Sequence, residues 1–166
     1  MPHRFSSIIV CLSLSLAAAC GSYDLTINEK LVYTPKPLFS DYSVTDSALH
    51  SCLELTIQDS KSSSASDLEI LNCSHAGVAE LAGIETFSGI TRLKLSSNGL
   101  NNIAALAALS NLEVLFLDNN QIVDLRPLLA LRVLRELDLS GNPQLLCSSA
   151  NGLIAIESLT LPQHCL

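Results

Sequence analysis

The chain has 166 residues, of which 48% are hydrophobic and 4% aromatic, with no tryptophan, so its apolar mass is aliphatic. That fraction is too high for intrinsic disorder, and the length fits one compact domain or one short repeat array. Nine Lys and Arg against sixteen Asp and Glu give a net charge of -7; scattered basic residues in such a balance argue against electrostatic binding of nucleic acid.

Residues 1–19 run from Met-Pro-His-Arg through an apolar stretch, Phe5 to Leu16, to Ala17-Ala18-Ala19. This order of a basic start, a short apolar core and small residues is that of a secretory signal peptide. The apolar core is shorter than the roughly 20 residues a spanning helix needs. Ala17 and Ala19 satisfy the small-x-small rule of ordinary secretion, whereas Leu16-Ala17-Ala18-Ala19-Cys20 resembles the bacterial lipobox, with Ala17 where Leu is commonest. Cysteine parity favours lipid on Cys20: with Cys11 removed in the signal, Cys52, Cys73, Cys147 and Cys165 then remain as an even set for an oxidising compartment. Several acyl chains would anchor the protein stably, each buried methylene contributing about 0.8 kcal/mol. Gly21 and Ser22 in place of Asp after the cysteine resemble the sorting pattern of outer-membrane lipoproteins. Secretion without an anchor is the competing expectation.

Residues 20–45 show no sustained period, with Pro35-Lys36-Pro37 in the middle; they read as a lipid-anchored spacer, part of which can be ordered if Val32, Tyr33, Leu38 and Phe39 pack on the body. Residues 46–66 form the next unit. Asp46 or Ser47 caps a helix whose apolar positions Leu49, Cys52, Leu53 and Ile57 share one face, and the Ser-rich run 60–66 is a polar connection.

From residue 67 to 166 the chain repeats itself every 22 residues. One column is Leu68, Ile90, Leu112, Leu134 and Ile156; the next is Leu71, Leu93, Leu115, Leu137 and Leu159; a third is Cys73, Leu95, Leu117, Leu139 and Leu161. Fourteen of these fifteen residues are Leu or Ile, which chance does not produce when those types make up roughly a quarter of a chain. A polar column, Asn98, Asn120 and Asn142, follows the third apolar one and gives way to Ala76 and His164 in the terminal units.

Residues 112–131 spell LxxLxLxxNxIxxLxxLxxL, which resembles a leucine-rich repeat of the 22-residue subclass found in bacterial internalins. The resemblance implies an α/β fold, a right-handed solenoid with a short parallel sheet on its concave face and 3₁₀ or short helical returns. Pro127 suits the first turn of a return, where a missing N–H costs little. The resemblance also implies that Asn98, Asn120 and Asn142 are structural, their amides bonding backbone groups in the turns, and that both ends need caps. Four cysteines allow three pairings, and proximity along a stack favours 52–73 with 147–165. Each such bridge closes about twenty residues and contributes about 3 kcal/mol in the loop-entropy account.

Cys73-Ser74-His75 and His164-Cys165 place thiol near imidazole. Against a catalytic or metal role, Cys73 stands in a core column, the two histidines are at opposite ends of the stack, and there is no CxxC pair, GxSxG, HExxH or phosphate-cradling loop. Neither catalytic residues, metal nor cofactor is expected.

Alternation along each strand sends Arg92, Lys94 and Ser96, then Val114, Phe116 and Asp118, then Glu136, Asp138 and Ser140 outward. Parallel neighbours would set Arg92 beside Val114 beside Glu136, and Lys94 beside Phe116 beside Asp138, a face grading from basic through apolar to acidic. Phe116 is the candidate anchor, and Arg92, Lys94, Val114, Phe116, Asp118, Glu136 and Asp138 the candidate ligand-binding set; a bland, solvated sheet surface is the alternative. The functional expectation is a non-enzymatic, lipid-anchored interaction module of a bacterial envelope that takes a protein or a glycan on this face. The rival is a structural envelope lipoprotein without an external ligand. Nothing in the pattern sets an oligomeric state.

Overall fold

The computed structural model of the chain describes residues 25–27, 30–33, 36–153 and 155–166. The expected signal peptide, residues 1–19, and Cys20 lie outside these. No helix among the described residues is long and apolar enough to cross a membrane. The chain divides into two units, residues 1–35 and 36–166. The first contains an antiparallel ribbon, β1 (Leu25–Ile27) with β2 (Lys30–Tyr33), inside the region read as an aperiodic spacer. Strands of three and four residues are too short for a period of two to stand out.

In the second unit the 22-residue period becomes a strand ladder. The strands β3 (Ile70–Asn72), β4 (Arg92–Lys94), β5 (Val114–Phe116), β6 (Glu136–Asp138) and β7 (Ser158–Thr160) form one parallel sheet in chain order. The register offset equals the sequence period, so Leu71, Leu93, Leu115, Leu137 and Leu159 stand side by side. The first four are at most 1% exposed, while Leu159 is only partly buried. Each of the strands β3 to β6 is followed by a tight turn and a 3₁₀ return: Ile84–Thr86, Ala104–Ala108, Arg126–Ala130 and Cys147–Gly152. Ile84, Leu106, Leu128 and Ala150 point inward from these returns, and Pro127 stands in the first turn of its return. Gly89 is required at a close approach, because a Cβ there would collide with the Ser66 carbonyl of the preceding coil.

The turns share a left-handed residue at the same position in each coil: His75, Ser97, Asn119 and Gly141, all with φ between 55° and 69°. The asparagine column follows it. Asn120 accepts from the Leu100 N–H at 3.1 Å and donates to the carbonyls of Leu95 and Leu117, both at 3.0 Å. Asn142 repeats this with Ile122, Leu117 and Leu139, and Asn98 with Gly77, Val78, Cys73 and Leu95. Each side chain thus ties its own turn to the coil before it, and Asn120 and Asn142 are buried. In the last unit, His164 sets its Nε2 3.1 Å from the Leu145 carbonyl.

The first coil is closed by helix α1 (Ser47–Ser60), whose Leu49, Leu53 and Ile57 are buried. Cys52 on α1 is bonded to Cys73 just past β3. Asp46 caps the helix, accepting from Ala48 and Leu49 on one carboxylate oxygen. Its second oxygen accepts from Ala79 and Glu80 in the first coil, so one side chain fixes both the helix start and its seat. Lys61 ends the helix in the left-handed region. From Phe39 onward, residues assigned by sequence to the spacer pack on this cap. Phe39 and Tyr42 stack at 5.8 Å and both meet the fully buried Phe87 edge-on, whereas Leu38 is exposed. Gly83, at φ 99°, leaves room for this segment, since a Cβ there would collide with the Ser43 carbonyl. At the other end, Cys147 is bonded to Cys165 in the return Gln163–Cys165.

Burial works against the Asp46 carboxylate, yet the N–H groups of Leu49, Ala79, Glu80 and Ala48 outweigh it and hold the group below its usual range. A carboxylate depressed in the folded state adds stability above its unfolded pKa, near 4, and loses it as pH falls through the lower folded value. Asp46→Asn keeps a capping oxygen but turns an amide N–H₂ toward the donors of Ala79 and Glu80. It is expected to cost about 1–2 kcal/mol at pH 7, the difference from wild type closing as pH falls below about 4. Urea melts from neutral pH down through that range test this; a pH-independent gap would contradict it.

Candidate binding face

The outward side of the sheet is ordered in rows by the ladder. One row is Ile70, Arg92, Val114, Glu136 and Ser158; the next is Asn72, Lys94, Phe116, Asp138 and Thr160. Arg92, Lys94 and Glu136 are exposed, and Phe116, Asp118 and Asp138 half-buried. Val114 departs from the exposed anchor that alternation suggests, being only 8% exposed. The physical reason lies in register: a short β-branched side chain on the central strand stands in the pleat between the longer Arg92 and Glu136.

Phe116 therefore carries the apolar centre of this face. The Lys94 ammonium lies 5.0 Å from its ring centroid, within the reach of a cation–π contact. Ser96 donates to Asp118, whose other oxygen accepts from the Asn119 amide at 2.8 Å. Asp138 accepts from the Ser140 N–H at 2.9 Å. Among the described residues the one salt bridge is Arg126–Asp124, away from this sheet, so Arg92, Lys94, Glu136 and Asp138 have no ion partner within the described residues.

Ile70, 60% exposed, extends the face onto β3 and was missed from sequence, although it stands 22 residues before Arg92 in the same column. A concavity of about 230 Å³ lies at the cap between Leu38, Phe39, Tyr42, His50, Glu54 and Ile57. Burial, and then the Glu54 charge, push the Tyr42 phenol up.

The two Cys–His pairs differ in setting. Cys73 is in the bridge to Cys52, and His75 is an exposed left-handed turn residue. Sγ of Cys147 and Cys165 and a ring nitrogen of His164 lie within 4.8 Å of one another. Both sulfurs are bonded to each other, so neither is a thiolate, the form that ligates a metal.

Comparison with known proteins bears on the coils. No curated protein matches the sequence. Among solved structures, internalin C2 of Listeria monocytogenes is 24% identical with a TM-score of 0.48, the match covering 71% of this chain and 66% of that one, so this chain spans just under two thirds of that protein. The family model of leucine-rich repeats, in two copies, matches residues 110–159. Residues 110–159 are thus leucine-rich repeats by this match, and the ladder carries the same 22-residue coil in register from β3 to β7.

Proposed function

We propose that the chain is a non-enzymatic protein-interaction module that takes its partner on the outward face of the β3–β7 sheet. The observation that carries this is Phe116: a half-buried aromatic at the centre of a sheet face, flanked by charges with no ion partner within the described residues. Aromatic residues are enriched at the cores of protein interfaces, where a few central side chains carry most of the binding energy inside a polar rim. Two disulfides support a place in an oxidising compartment. With the lipobox-like segment before Cys20, they support a lipid-anchored protein of a bacterial envelope, on the outer membrane by the residues after that cysteine.

Phe116→Asp is expected to lower retention of the bound partner at least tenfold, about 1.4 kcal/mol or more. The melting temperature should shift by no more than a few degrees, since the ring is not in the closed core. Affinity capture from crosslinked envelopes, scored against wild type, tests this. Equal retention by both forms, with envelope integrity depending on the protein, would favour the purely structural lipoprotein. The mass of the membrane-fraction protein separately tests lipid on Cys20.

A further inference from the structure

We propose that the partner this face accepts is a second copy of the same chain, docked face to face about a twofold axis that runs along β5. The inference rests on the reading of this sheet face as a binding surface and adds the identity of the occupant. Its basis is the order of charge across the strands. Arg92 and Lys94 are on β4, Val114 and Phe116 on β5, and Glu136 and Asp138 on β6, at matching register positions.

A twofold axis parallel to β5 and lying between two such faces keeps position along the strand and reverses position across the sheet. Arg92 then meets Glu136 of the other copy, Lys94 meets its Asp138, and Phe116 meets Phe116. By symmetry each ion pair forms twice, as an isologous contact requires. The other in-plane axis, running across the strands, reverses position along them and sets β4 against β4, so that Arg92 meets Lys94 and Glu136 meets Asp138. Charge therefore selects one of the two face-to-face arrangements. The two rows are electrically balanced, each with one cation and one anion, on a chain whose net charge is -7, so this is a surface on which two copies can approach. Asp118, on the β5 column, would lie across from its own copy; its oxygens are already held by Ser96 and Asn119.

Five strands about 4.8 Å apart and three outward rows give a footprint of only about 250 Å², well under the roughly 800 Å² per partner of a standard interface. The dimer is therefore weak in solution, with dissociation in the micromolar range or above, and it weakens further with salt because its selecting contacts are exposed ion pairs.

Sedimentation velocity of the full chain over a wide concentration range provides the test. Wild type should pass from monomer to dimer. Arg92→Glu with Lys94→Glu, and separately Glu136→Lys with Asp138→Lys, should each weaken association about a hundredfold. An equimolar mixture of the two reversed variants should restore it, and unchanged melting temperatures would show that both remain folded. A wild type that stays monomeric throughout, reversed variants that associate like wild type, or a mixture that fails to recover would overturn the proposal. A photo-crosslinking amino acid at position 116 in cells separates this from the wider reading. Linkage to a second copy supports the dimer. Linkage only to a different protein overturns it while leaving the binding face in place, and no linkage at all overturns both.

Discussion

Asn120→Leu is expected to destabilise the protein by about 3–5 kcal/mol, although leucine is the commonest residue of the surrounding core. The amide is 4% exposed and serves several backbone groups directly, among them the N–H of Leu100 and the carbonyls of Leu95 and Leu117. A buried donor or acceptor stripped of its partner costs about 1–3 kcal/mol, and leucine strips several at once without offering water a route in. Asn120→Asp is the sharper comparison. It keeps the acceptor for Leu100 but has nothing to donate, and it brings negative charge against two carbonyl oxygens, so it should fare no better than leucine at neutral pH. Denaturant melts of the two variants measure the effect. A loss under about 1 kcal/mol for both would mean that the turn can be satisfied without the side chain, against the usual cost of orphaned buried groups.

Replacing Cys52 and Cys73 together by alanine is expected to cost about 3 kcal/mol in the loop-entropy account, the bridge spanning 21 residues of sequence. The loss should be felt locally, because each coil of a stacked repeat touches only its neighbours. Helix α1 would still bury Leu49, Leu53 and Ile57, and Asp46 would still hold Ala79 and Glu80. Hydrogen exchange should therefore quicken in α1 and β3 while β5 and β6 keep their protection. Uniform loss of protection along the sheet would instead mean that the coils unfold as one block.

What could be read from the sequence and what could not divide along a physical line. The strands, the register and the asparagine column follow from identical residues at a fixed spacing, which the eye can count. The cap helix follows from Asp46 and the apolar positions Leu49, Leu53 and Ile57. The left-handed turn column escaped notice because His75, Ser97, Asn119 and Gly141 share a backbone conformation and no side-chain chemistry. The packing of Phe39 and Tyr42 on Phe87 was hard to foresee for a related reason: it joins an aperiodic segment to a distant coil through shape alone. On the sheet face, alternation identified which side each residue takes, but not that Val114 would be hidden between its longer neighbours.

The two ends of the stack are closed unequally. The first coil lies under a helix, an aromatic cluster and a disulfide, whereas Ile156, Leu159 and Leu161 at the other end are only partly buried beneath one short turn and its bridge. The covered end is then the firm one, and opening of the stack is expected to begin at β7, where fewer apolar groups leave the core, and to travel coil by coil toward β3.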